Sequence, residues 1–257
     1  YEKDGEISFG KGRRRRILSA KQFLNYAVHN LGADERWLPP ANLETIKDLK
    51  GKQNKKDKPA ANNAGKAQRI SDDAFLELLD SFDTDKPDQK RWRLAIGLMS
   101  CFALRPVELK YCKANGDLLD IDYIKISSDG ATEERQVEPL APVARPELAK
   151  QLLLELSSGL TELPPLGQFD RWAARSVSRA LDRNDVWNKL KAEAIEAGTK
   201  ISCYSLRHGA AFRGAVVYGI GVDDLAKNMG HSVSTYLKYY RDFNDQKGKT
   251  SLFEVAR

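Results

Sequence analysis

The residues of this chain that could do chemistry fall in two places. One is Leu104-Arg105-Pro106-Val107-Glu108-Leu109. The other is a later run: Tyr204-Ser205-Leu206-Arg207-His208, then Met229-Gly230-His231, then Tyr239-Tyr240-Arg241-Asp242. Two arginines, a His behind a Gly and a Tyr further on suit attack of a phenol on a phosphodiester. A phenol has a pKa of about 10, so roughly one in a thousand is ionised at pH 7. It needs help losing its proton, and it needs a site that favours negative charge on phosphate. Arginine serves the second need, because its planar fork donates paired hydrogen bonds and keeps its proton. Removing one such preorganised donor costs about 3–4 kcal/mol of barrier. An imidazole donor and an acid for the leaving oxygen would complete the set.

Local signals place these residues on a mostly helical frame. Ser71 is a helix N-cap with Asp72 and Asp73 in the first turn, ahead of Phe75, Leu76, Leu78 and Leu79. Trp92 to Phe102 reads as a buried helix that ends near Arg105-Pro106, since proline disfavours helix in the residue before it. Residues 118–126 and 136–140 read as strands joined through the turn Ser127-Ser128-Asp129-Gly130. Helices are expected at 146–157, 170–183 and 185–197, with Gly198 as a stop, then at 206–218, 223–228 and 235–243. The fold class expected is therefore mainly α with a small antiparallel β-sheet.

In order and spacing, the two motif groups resemble the tyrosine recombinase (phage integrase) family. The resemblance covers about residues 70–243, and it is weak outside Arg105 to Leu109 and Tyr204 to Asp242. It implies DNA strand cleavage and rejoining through a covalent 3′-phosphotyrosine, with no metal and no cofactor. Arg105 matches the first catalytic arginine and Glu108 its acidic companion. Arg207 matches the second arginine, His231 the downstream imidazole and Tyr240 the nucleophile. Tyr239 lies one residue too early, and Tyr236 stands one helical turn before Tyr240. His208 reads as supporting. Two positions depart from the family pattern. Tyr204 stands where the family has His, and a phenol can donate to phosphate but is a weaker base. The turn that carries the family's general-acid lysine has none here, and Lys125 on the strand leading in is the nearest candidate. The resemblance further implies double-stranded DNA as partner, a homotetramer on synapsed sites, and a carboxy-terminal segment that docks on a neighbouring protomer; the tail 244–257 reads either as that segment or as a disordered end.

Taken singly, each motif has an ordinary explanation. Arg207-His208 could be a helix-start pair, Gly230-His231 a common turn, and the tyrosines a packed helix. What argues against coincidence is their joint order. Other readings of the same residues are a recombinase-like protein that holds DNA without cutting it, and a type IB topoisomerase-like enzyme without site preference.

The formal net charge is +6 over 257 residues, unevenly spread. Residues 1–70 hold 16 Lys+Arg against 8 Asp+Glu, whereas the other 187 hold 26 against 28. A basic amino-terminal part points to a polyanion. Arg13, Arg14, Arg15 and Arg16 read either as the exposed start of a helix or as phosphate contacts, and Lys55 and Lys56 as contacts from a basic linker. That helix carries Ile17 to Leu31 and stops at Gly32; Trp37-Leu38-Pro39-Pro40 follows as a turn anchored by its Trp. The expected division is a partial helical DNA-binding domain at 1–50, a linker at 51–69, a catalytic domain at 70–243 and a tail at 244–257. The chain opens on Tyr1, which suggests a fragment of a longer protein. Cys101, Cys112 and Cys203 form no C-x-x-C pair and read as reduced thiols of a cytoplasmic protein.

Overall fold

A computed structural model describes residues 2–3, 6–7, 11–43, 67–124, 126–127, 130–131 and 133–240. The chain divides into two compact units, Tyr1–Asn62 and Asn63–Arg257.

In the first unit, β1 (Glu2–Lys3) and β2 (Glu6–Ile7) pair antiparallel. Helix α1 (Lys11–Leu31) follows, and Gly32 ends it at a positive φ of 70°. The Arg13 backbone lies in the first turn of α1, and Arg14, Arg15 and Arg16 are exposed beside it. Trp37 closes a one-turn 3-10 helix (Glu35–Trp37) and is 60% exposed, so it does not anchor the turn as the sequence suggested. None of the described residues of this unit is buried, which leaves the indole no apolar layer to pack on. Lys55 and Lys56 lie outside the described residues.

The second unit is helical around one three-stranded sheet. The Ser71 hydroxyl accepts from the Ala74 amide at 3.2 Å and caps α2 (Asp72–Asp80), which buries Phe75, Leu76, Leu78 and Leu79. Helix α3 (Pro87–Cys101) is buried without break from Leu94 to Cys101 and packs against α4 (Leu148–Ser158) and α7 (Tyr204–Phe212). The sheet has the order β3-β4-β7, all antiparallel: β3 (Cys112–Asn115), β4 (Leu118–Ile121) and β7 (Arg135–Val137). The sequence reading had no β3 and made the other two strands longer. In fact Gly116, at φ 61°, turns a tight hairpin between β3 and β4. Beyond β4 the chain leaves the sheet, and β5 (Ile126–Ser127) and β6 (Gly130–Ala131) pair separately.

Helices α5 (Asp170–Leu181) and α6 (Asp185–Glu196) match the expected spans within two residues, and Gly198 stops the second at φ 68°. After α7 the helix widens into a π-helical turn (Arg213–Val217); α8 (Val222–Asn228) follows, and residues 233–240 form a last helix, α9. A second, smaller core joins Ala103, Leu140, Ala210, Ala211, Ala215, Leu225, Ala226 and Met229 to the rings of Tyr236 and Tyr240. Small side chains on α7 therefore make the floor on which the α9 tyrosines lie.

The three cysteines are free thiols, and burial pushes Cys101 and Cys112 up to about 12. Among the described residues, no helix is long and apolar enough to cross a membrane.

Candidate active site

Arg105 is placed by the end of α3. Ala103 takes a left-handed φ of 49°, and the chain turns there into a 3-10 helix over Pro106–Lys110. Arg105 is the N-cap of that helix. Its amide donates to Glu108 Oε2 at 2.7 Å, its Nη1 to Glu108 Oε1 at 2.6 Å, and its Nη2 to the Gly230 carbonyl at 2.8 Å.

Glu108 is fully buried and holds more than Arg105. Arg135 Nη2 donates to its Oε1 at 3.0 Å, and Arg207 Nη1 stands 3.6 Å from its Oε2. Burial alone would raise this carboxyl. Arg207, Arg135 and Arg105 together outweigh burial and hold it below the ordinary carboxylate value.

Arg207 is only 2% exposed, and main-chain carbonyls fix its guanidinium. Nη1 donates to the Ala103 carbonyl, and Nη2 to the Met229 carbonyl at 2.5 Å. Burial lowers its pKa to about 10, so it remains cationic at neutral pH. Nη2 also lies 3.0 Å from His231 Nε2. A guanidinium can only donate, so Nε2 accepts and the neutral ring carries its proton on Nδ1.

Gly230 sits at φ 61°, and a Cβ there would come within 2.8 Å of Arg135 Cζ and Nη1. The glycine ahead of His231 thus serves two needs: a left-handed turn, and room for a buried guanidinium.

The four distant residues singled out as chemically competent converge. The Tyr240 ring is 3% exposed and stacks on His231, with centroids 6.2 Å apart and planes 19° off parallel. Its hydroxyl lies 2.9 Å from His208 Nδ1 and interacts with the Arg207 guanidinium. Burial raises the phenol, and Arg207 opposes that shift. Tyr239, its neighbour, is 52% exposed. Tyr236 lies in the small core against the Tyr240 ring, with centroids 5.0 Å apart. Tyr204, in the first turn of α7, is raised chiefly by burial and lies within the electrostatic reach of Arg207 and Arg105. Lys125 and Arg241 lie outside the described residues.

Arg135 was not singled out from the sequence. It opens β7, its guanidinium is almost wholly buried, and Nε donates to the Asn228 carbonyl at 3.2 Å. Strand alternation held the signal, because Arg135 and the buried Val137 share one face.

No family model matches the chain, and no curated protein matches it in sequence. Solved structures do resemble it. One is the Tn1549 transposon integrase in complex with transposon right-end DNA, at 14% identity and TM-score 0.47, covering 96% of this chain and 93% of that one. Another is the XerH site-specific recombinase bound to its palindromic difH substrate, at 17% identity and TM-score 0.46, covering 93% and 72%. A third is the XerA recombinase, at 14% identity and TM-score 0.46, covering 100% and 86%.

Proposed function

We propose that this chain is a tyrosine site-specific recombinase, which cleaves and rejoins double-stranded DNA through a covalent 3′-phosphotyrosine on Tyr240. The observation that carries this reading is the meeting of Arg105, Arg207, His231 and Tyr240, drawn from distant parts of the sequence, around a cationic, largely buried site.

Each residue has a role that its chemistry fits. Arg105 and Arg207 bind the non-bridging phosphate oxygens, where charge grows in the transition state. Glu108 and the carbonyls of Ala103, Met229 and Gly230 hold the guanidinium planes in place before DNA arrives, so little reorganisation is left for the reaction itself. His231 serves as the further donor to phosphate. Tyr240 O attacks phosphorus, the 5′ oxygen leaves, and Lys125 is the candidate that protonates it. Tyr204 donates to phosphate where the family resemblance has an imidazole. The basic first unit, with Arg14, Arg15 and Arg16 exposed on α1, adds backbone contacts to the duplex. A homotetramer on synapsed sites is the assembly proposed.

A nicked suicide duplex traps the intermediate. Wild-type protein should form a covalent adduct, Tyr240→Phe should form none, and Tyr239→Phe should retain it. An adduct that survives in Tyr240→Phe would reject the nucleophile assignment. The phenol at position 204 favours a second reading, in which the protein binds DNA without cutting it. Steeply salt-dependent binding with no wild-type adduct would select that reading.

A further inference from the structure

The site has one group that the four matched residues leave unexplained: an imidazole against the attacking oxygen. His208 follows Arg207 on α7, and its Nδ1 is 2.9 Å from the Tyr240 hydroxyl. The rings stand 5.5 Å apart with their planes tilted by 60°, and in the neutral tautomer protonated on Nε2, the Nδ1 lone pair can accept the phenol's hydrogen. Arg207 also bonds the phenol oxygen, and a guanidinium has only hydrogens to give. The phenol's own hydrogen is thereby left for the imidazole. His231 cannot play this part through Nε2, which already accepts from Arg207. Position 204, one helical turn before His208, holds a phenol, which is a poor proton acceptor.

We propose that His208 is the proton acceptor for the nucleophile. This rests on the strand-transfer reading above. As the Tyr240 oxygen bonds to phosphorus, its O–H bond breaks and the proton passes to His208 Nδ1. The bond from phosphorus to the 5′ oxygen breaks with its electron pair, and that oxygen takes its proton from the general acid of the strand-transfer reading. In rejoining, the 5′ hydroxyl attacks and gives its proton back to that general acid, now acting as base, Tyr240 departs, and His208 returns the proton to the phenolate. Burial and then Arg207 hold the imidazole at about 4, so at neutral pH it is unprotonated and ready to accept. An arriving phosphate brings negative charge beside it, which opposes both effects and strengthens it as a base.

The test compares His208→Asn and His208→Ala with wild type on the nicked duplex. Asn places an amide near the Nδ1 position, keeping a hydrogen bond to Tyr240 without a basic nitrogen. Both variants should form adduct about 10²-fold more slowly or worse. A duplex with a 5′-bridging sulfur at the scissile phosphate has a leaving group that needs no proton. It should leave the defect of both variants uncorrected, because the missing step is on the nucleophile's side. Recovery on the sulfur substrate would overturn the proposal by moving His208 to the leaving group. Near wild-type rates in His208→Asn would overturn it too, reducing His208 to a positioning residue. Failure of the wild type itself to form adduct would remove the strand-transfer reading and this step together, and is distinguishable from either result. Without DNA, fluorotyrosine-labelled protein should show the Tyr240 resonance, identified by its loss in Tyr240→Phe, shifted in His208→Ala. An unmoved resonance would deny the contact.

Discussion

At the residue scale, the site couples its protonation to stability in a way that acid titration can read. His208 is held at about 4, below its ordinary 6.5, by burial and then by Arg207. Arg207 faces it from α7, and Tyr240 from α9. Between those two values the unfolded chain takes up a proton that the folded chain refuses. The stability linked to His208 is thus whole above pH 6.5 and declines as pH falls toward 4. Glu108, depressed by its three arginines, contributes stability that is lost only as pH falls through and below its ordinary 4.5. The thermal midpoint should therefore fall in two stages on acidification, and His208→Asn should remove the upper one; an unchanged upper stage would show that the imidazole is not held neutral. Arg105, Glu108, Arg207, His231 and Tyr240 were all legible as motif positions. Their partners were less so, because Ala103, Met229 and Gly230 act through backbone carbonyls, which no side-chain pattern reveals.

At the element scale, one buried cation ties α2, α3 and α7 together. Arg213, where α7 gives way to the π-helical turn, donates to Asp72 at 2.6 Å through Nη2 and at 3.0 Å through Nε. It also donates to the carbonyls of Ser100 and Leu140. Removing one partner of a fully buried pair costs about 3–5 kcal/mol. Asp72 keeps a third of its side chain in water, so Asp72→Asn should cost about 2–3 kcal/mol, read as a shift in the denaturant midpoint at unchanged slope. An effect under 0.5 kcal/mol would show that the bond is surface-like. The helices were readable because caps and stops are local: Ser71, Gly32 and Gly198 each mark an end. The sheet was not, because β3 and β4 are four residues each and alternate only weakly between buried and exposed. Pairing partners lie elsewhere in sequence, so periodicity alone could not set the strand lengths.

At the scale of the whole molecule, charge is divided between the two units, and salt dependence can test what that division does. Each phosphate neutralised contributes about 0.9 to the slope of log affinity against log salt. Replacing Arg14, Arg15 and Arg16 together with Ala should flatten that slope by about 2–3, and should weaken binding alike on all sequences. A slope left unchanged would make the run a solvated helix face. The charge asymmetry needed only the sequence. The placement of Trp37 did not follow from it, since whether an indole is covered depends on a second layer that composition does not supply.

Glu108 has an arithmetic consequence. Three guanidinium groups and one carboxylate leave a local surplus of two positive charges. A phosphodiester carries one negative charge, whereas the five-coordinate phosphorane on the way to cleavage carries two. In the proposed reaction, the charge of this arginine–glutamate cluster is thus nearer to that of the phosphorane than to that of uncut DNA. Glu108→Gln lifts the surplus to three. It should tighten binding of uncut duplex while slowing adduct formation, so that affinity and turnover move in opposite directions.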